Sequence, residues 1–205
     1  SANGDRSVAV DDIGTLFEWG EIEVGPFGSG GPGCQQYRQP HILAFRDQLP
    51  PKRGGRGVRA RRVFTGRSHA FAVMATGELY AWGHNAFGQL GIGPTVGKEV
   101  RPQRVTALAG KRVRQASAGG RYSIVLTEAG EVYTMGRGDG GLLGLPGNAP
   151  RHVPTRVATG ALAPPAVVVE VSVGASHTLA RRADGAVVSW GHNWMGQLGI
   201  GGGEP

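Results

Sequence analysis

Apolar residues in this chain come in short runs, cut every few positions by glycine or proline, and no 3.6-residue period is sustained. The run Ala70 to Ala75, the turn Thr76-Gly77 and the run Glu78 to Trp82 predict a β-hairpin. Glycine at the turn supplies the positive φ that a tight hairpin needs. The same order returns as Ser123 to Thr127 with Glu131 to Met135, and as Leu179 to Arg182 with Ala186 to Trp190. Between hairpins lie two further strand candidates. Arg101-Pro102-Gln103-Arg104-Val105, echoed at Arg151 to Val157, is a proline-led edge strand. Val113 to Ala118 and Val167 to Val173 are β-branched and predict inner strands. A helix of three turns or more is not expected between residues 63 and 205.

These elements recur because the sequence repeats itself. Residues 82–93 and 190–201 are identical at ten of twelve positions. They hold Trp82, Gly83, Asn85, Gly88, Gln89 and Gly91 in one copy, and Trp190, Gly191, Asn193, Gly196, Gln197 and Gly199 in the other. Upstream stand Gly66 and His69, matched by Gly174 and His177. Gly66 to Gly83, Gly119 to Gly136 and Gly174 to Gly191 each span 17 residues. A fainter copy opens the chain at Gly4-Asp5-Arg6-Ser7, one residue short of that spacing. The units lie near 4–45, 66–118, 119–173 and 174–205, with residues 46–65 as a basic insertion between the first two. Four strands per unit at this period predict an all-β fold, a β-propeller of four-stranded blades.

The order Gly-x-Ser-His, hairpin glycine, Trp-Gly-x-Asn, Gly-Gln-Leu-Gly-x-Gly and Arg-Pro-x-x-Val resembles the regulator of chromosome condensation repeat. The third unit departs from it at residues 135–144, and the first keeps only the glycines of residues 28–33. The resemblance implies a seven-bladed ring, of which three to four units are present and the ring is incomplete. It further implies a non-enzymatic protein-interaction propeller, a scaffold or subunit of a larger assembly. The alternative is a guanine-nucleotide exchange factor for a small GTPase. Photoreception in this family uses Gly-Trp-Arg-His loops, and the corresponding positions here carry no tryptophan. An array cut at half a ring bares a blade face at each end. Cover is therefore expected from further blades of the same polypeptide or from other protein subunits, and Trp82 with Trp190, and His69 with His177, are expected to be buried alike.

Composition changes this picture in one place. The net charge is +7. From Arg46 to Arg67 eight basic residues face Asp47 alone, among them Arg53, Arg56, Arg59, Arg61 and Arg62. With Pro50-Pro51 and Gly54-Gly55 this stretch is expected to be an exposed loop. It is either a solvated insertion or a contact for an acidic protein, nucleic acid or phosphate. The single Cys34 excludes an internal disulfide and fits an intracellular protein, and no apolar stretch reaches the length of a membrane span.

Other motifs add no chemistry. Gly136 to Gly141 matches a dinucleotide-binding pattern, but prolines at 146, 150 and 154 forbid the helix that pattern needs. Repeated histidines occupy two registers, His69 with His177 and His84 with His192, where they are expected to bond structurally rather than hold metal. No catalytic set, metal or cofactor is assigned.

Overall fold

The computed structural model describes residues 1–3, 6–22, 35–43, 59–94 and 97–201. Their strands form four antiparallel sheets in chain order. The first holds β1 (Ala2–Asn3), β2 (Arg6–Val10), β3 (Leu16–Ile22) and β4 (Gln35–Ile42). The second holds β5 (Ala60–Thr65), β6 (His69–Met74), β7 (Leu79–His84) and β8 (Lys98–Arg104). The third holds β9 (Val113–Ala118), β10 (Tyr122–Thr127), β11 (Val132–Gly136) and β12 (Arg151–Arg156). The fourth has three strands, β13 (Val168–Val173), β14 (His177–Arg182) and β15 (Val187–Gly191). Among the described residues the only helical elements are 3₁₀ turns at Thr106–Leu108, Asp139–Gly141 and Gly160–Leu162. The fold is all-β, built of propeller blades, and the ring is not closed.

Consecutive sheets stack through their first two strands: β2 packs on β5, β6 on β9 and β10 on β13. The first strands also touch one another, β5 on β9 and β9 on β13. The hydrophobic core therefore lies between blades. Phe71, Val73 and Leu79 of the second blade meet Val113, Ala116, Val125 and Met135 of the third. Ile124, Leu126 and Val132 of the third meet Val168, Val171 and Ala180 of the fourth. A strand in the middle of such a stack is apolar on both faces, and β6 and β10 are buried at every residue.

The sheets are offset from the sequence repeat. Each of the two inner repeat units begins at the second strand of one blade and ends with the first strand of the next, so Val113 to Ala118 closes the 66–118 unit yet belongs to the third sheet. The strand Ala60–Thr65 also corrects the reading of Arg46 to Arg67 as one exposed loop. Arg61 and Arg62 lie on β5, Arg62 paired with Val73 of β6 and Arg61 at the irregularity between Ala60 and Arg62. Arg53 and Arg56 lie outside the described residues.

The hairpin turns clasp neighbouring blades. Gly14 O accepts from Ala60 N at 3.2 Å, Gly77 O from Val113 N at 2.8 Å, and Gly130 O from Val168 N at 3.1 Å. A Cβ on Gly77 would stand 3.1 Å from Arg112 Cα, whereas one on Gly185 would meet nothing within 4 Å. The fourth blade is open on that side throughout. Leu79 and Val132 are 1% and 2% exposed, and their counterpart Val187 is 65% exposed.

The second glycine of the hairpin, after tryptophan or methionine, is required twice over. Gly83 has φ +107°, and a Cβ there would lie 2.5 Å from Ser68 O and 2.6 Å from His69 Cα. Gly93 has φ +96° with nothing within 4 Å. Gly93→Ala is therefore expected to cost only the left-handed strain, about 1–2 kcal/mol. Gly83→Ala adds backbone overlap and is expected to cost on the order of 4 kcal/mol or more. Denaturant unfolding of the full-length protein checks the difference, and equal losses would refute the steric account.

Candidate functional site

The repeat places one polar side chain per blade at the start of the second strand, opposite that glycine. Register puts Arg6 across from Gly20, His69 from Gly83, Tyr122 from Gly136 and His177 from Gly191. In the first unit it is thus Arg6, and not Ser7, that occupies the histidine position. From this position Arg6, His69 and Tyr122 each reach the next blade.

At the junction of the second and third blades, His69 Nε2 lies 2.7 Å from Ser123 Oγ, and Ser123 Oγ donates to Gln89 O at 2.7 Å. Because the hydroxyl proton is committed to Gln89 O, His69 must donate from Nε2. Its Nδ1 is then a bare acceptor, buried and without a hydrogen-bond partner. Burial, with smaller contributions from the positive Arg6 and His84, pushes the imidazole down to about 3. At the next junction the Tyr122 hydroxyl donates to His177 O and sits 3.2 Å from Thr178 Oγ1. Burial pushes its pKa up to about 12. His69 and Tyr122 therefore each meet a hydroxyl one residue past the equivalent position of the following blade.

The first junction has Ala70 at that place and is built otherwise. Arg6 forms a buried ion pair with Glu18, and Glu18 also accepts from Trp82 Nε1 at 3.2 Å. The Arg6 guanidinium lies 5.9 Å from the Trp82 ring centroid. Among the described residues no blade covers the fourth, and His177 and Trp190 are only half-buried, against the expectation that they match His69 and Trp82. Trp190 Nε1 still donates backward to Leu142 O at 3.2 Å.

The twelve-residue loops are tied by their amides. Asn85 Oδ1 accepts from Leu90 N, and Asn193 Oδ1 from Leu198 N, both at 3.0 Å. Gln89 Oε1 accepts from Phe87 N at 3.0 Å, and Gln197 Oε1 from Met195 N at 2.8 Å. Gln89 Nε2 also reaches His84 Nδ1 at 3.0 Å. In the second blade this loop docks on the third. A Cβ on Gly88 would lie 2.5 Å from His152 Cα, one on Gly91 would lie 2.6 Å from Met135 Sδ, and Phe87 lies beneath the Arg121 guanidinium at 5.1 Å. Gly66 likewise abuts Ala118 of the third blade, while Gly174 closes on its own repeat's His177 ring. In the fourth blade Gly196 and Gly199 face open space, Met195 is 90% exposed, and Trp194 stacks on His192 at 4.1 Å.

The basic residues gather elsewhere. Arg59 is exposed just before β5, and Arg61 and Arg62 are exposed on it. A cleft of about 310 Å³ at the hairpin-turn end of the second and third blades is lined by Arg61, Arg62, Arg112, Arg114 and Glu128. Sequence reasoning missed Arg112 and Arg114, along with Ser123, Thr178 and Glu18. Their partners are 12 to 64 residues away, so no local pattern announces them, except that the His69–Ser123 and Tyr122–Thr178 separations, 54 and 56, are the repeat period plus one.

Two outcomes follow from the His69 geometry. The neutral imidazole's contribution is fully present above about pH 6.5 and is lost as pH falls toward about 3. By pH 5 the loss is about 2 kcal/mol. Thermal melts of the full-length protein across that range should show it, and His69→Gln should remove that share of the slope. Ser123→Ala leaves His69 Nε2–H and Gln89 O unpaired and should cost about 1–3 kcal/mol at pH 7. An unchanged slope in His69→Gln would refute the assignment.

Comparison with known proteins follows the same geometry. Two models of the Regulator of chromosome condensation (RCC1) repeat match the chain, one over residues 76–126 and 129–181, the other over 60–89 and 168–197. The human "Probable E3 ubiquitin-protein ligase HERC6" is 32% identical over 97% of this chain and 18% of its own length. The Arabidopsis thaliana "Ultraviolet-B receptor UVR8" is 32% identical over 98% of this chain and 42% of its own. The chain thus spans less than half the length of these curated relatives. Among solved structures, human WBSCR16 superposes with a TM-score of 0.78 at 27% identity, covering 99% of this chain and 49% of that one. Yeast RCC1 (Prp20), solved bound to Kap60, superposes at 0.75 with 24% identity over 97% of this chain and 44% of its own, and shares the fold. The chain belongs to the regulator of chromosome condensation (RCC1) repeat family.

Proposed function

We propose that the chain is a non-enzymatic protein-interaction propeller that works as part of a larger intracellular assembly. The observation that carries this reading is the open side of the fourth blade. Leu179, Val187, Met195 and Ile200 stand exposed at positions whose equivalents in the second blade, Phe71, Leu79, Phe87 and Ile92, are covered wholly or in part by the third. A contiguous apolar face of this kind marks an interface. Further blades of the same polypeptide are the first candidate for the cover, because the solved relatives are about twice as long. Another subunit is the second. The polar side chains that the repeat supplies are committed to joints and loop ties, which leaves recognition to the residues that differ from blade to blade.

The competing reading is nucleotide exchange on a small GTPase. A structure of Prp20p from Saccharomyces cerevisiae is described with its binding properties to Gsp1p and histones, at 19% identity to this chain. The ligase and photoreceptor activities in the relatives' names belong to proteins of which this chain matches a minor part. Nucleotide release from candidate small GTPases, measured with the full-length protein, separates the two readings. No acceleration is expected, and a stoichiometric partner is expected to copurify from native source.

The open face also has its own test. Residues 1–205 expressed without cover are expected to self-associate through the fourth blade, and Leu179→Asp with Val187→Asp to reduce that association. Sedimentation would decide. A monomeric, cooperatively melting wild-type chain would refute the need for cover.

A further inference from the structure

The arginines that the repeat leaves unexplained converge on one junction. Arg61 on β5 and Arg114 on β9 occupy equivalent places, since each follows the residue whose N–H bonds the preceding turn glycine, Ala60 on Gly14 and Val113 on Gly77. The equivalent on β13 is Val169. Arginine is therefore paired at this junction and unpaired at the next, where valine replaces the second arginine, which a uniform arginine-rich composition does not explain. Arg62 adds a third guanidinium, turned across the junction so that its Nη1 donates to Arg114 O at 3.2 Å. Arg112 is the fourth, but it is already held by Glu128 at 2.9 Å and by Thr76 O at 3.2 Å. Glu128 is the one carboxylate lining the cleft, against four guanidinium groups. Lys52, Arg53, Arg56 and Arg59 precede this edge in the sequence.

We infer that this cleft is a docking site for an acidic peptide segment of a partner protein, with Arg61, Arg62 and Arg114 each taking a carboxylate. The inference rests on the interaction-propeller reading and specifies one surface of it. Arginine's planar fork matches a carboxylate in two parallel bonds, as Arg137 does with both oxygens of Asp139 elsewhere in this chain. Two features select a peptide over other anions. The guanidinium groups are strung along the junction, and two of the four are already anchored to backbone or to Glu128, so they do not close on one point as a single phosphate would require. Apart from Glu128, the non-basic lining consists of Val73, Met74, Ala75, Gly77 and Val113, with no aromatic ring for a base to stack on. An extended peptide with spaced acidic side chains fits both features.

The test uses the full-length protein and fluorescence anisotropy with an oligoglutamate peptide as probe. Arg61→Ala and Arg114→Ala are each expected to weaken binding about fivefold, and the pair about 30-fold. Arg61→Glu with Arg114→Glu should abolish it. Arg61→Lys keeps the charge but loses the fork, and should weaken it about threefold. Arg181→Ala, exposed on the fourth blade, should leave it within about twofold. Affinity should fall steeply between low and physiological salt. All these arginines are exposed, and unchanged melting temperatures of the variants establish that the losses are local. Peptide binding indifferent to Arg61 and Arg114 would overturn the inference. So would tripolyphosphate or oligothymidylate binding more tightly than the peptide at the same arginines, or no binding by any probe. A native partner that still copurifies with the Arg61→Glu, Arg114→Glu protein would sink this cleft and leave the interaction-propeller reading intact, whereas a wild-type protein with no copurifying partner would count against that reading itself.

Discussion

Everything in this molecule depends on the contact of one sheet's face with the next. A blade here is a sheet apolar on both sides, with strands such as β6 buried at every residue. Such a sheet cannot be stable in water by itself, and each junction has to be aligned as well as dry. Alignment comes from the side chain at the head of the second strand and from the hairpin glycine carbonyl, one near each end of the junction. Between those two pins the aliphatic residues need only be complementary in volume, which is why Phe71, Ile124 and Leu179 can stand in for one another.

The three observed junctions use different chemistry for the same pin. His69 with Ser123 is a neutral pair, Tyr122 with Thr178 is another, and Arg6 with Glu18 is a buried ion pair shared with the Trp82 indole. Removing either partner of the ion pair would leave an uncompensated buried charge, a larger penalty than loss of a neutral hydrogen bond. The first junction is therefore the least tolerant of single changes, and the two neutral ones can exchange residue types more freely.

Most of the fold was legible from residue order alone. The hairpins, the turn glycines and the proline-bearing outer strands follow from period, turn chemistry and the placement of Pro102 and Pro154. Strand β5 was not legible as a strand, because its Arg61 and Arg62 are exposed and the preceding residues are rich in glycine, proline and charge. Its position was nevertheless encoded: Phe64-Thr65-Gly66 sits where Ser117-Ala118-Gly119 and Ser172-Val173-Gly174 end their strands. The half-buried state of His177 and Trp190 could not be read locally, since burial at this position is conferred by the following blade. The basic cleft was half visible, as the charged stretch up to Arg62. Arg112 and Arg114 join it only when β9 is laid beside β5.

The offset between repeat and blade bears on how such a protein can grow or be rebuilt. A duplicated sequence unit does not deliver a finished sheet. It delivers three strands of one sheet and the opening strand of another, with the Gly66-to-Ala118 contact and the Gly77-to-Val113 clasp both internal to it. What is inherited as a module is thus the seam and not the slab. A chimera spliced at Gly119 or Gly174 would keep the glycine clasp and the packing of the second strand on the following blade's first strand from a single parent. It would have to rematch the His69–Ser123 or Tyr122–Thr178 pin, whereas one spliced between β8 and β9, or between β12 and β13, would have to rematch clasp, packing and pin together.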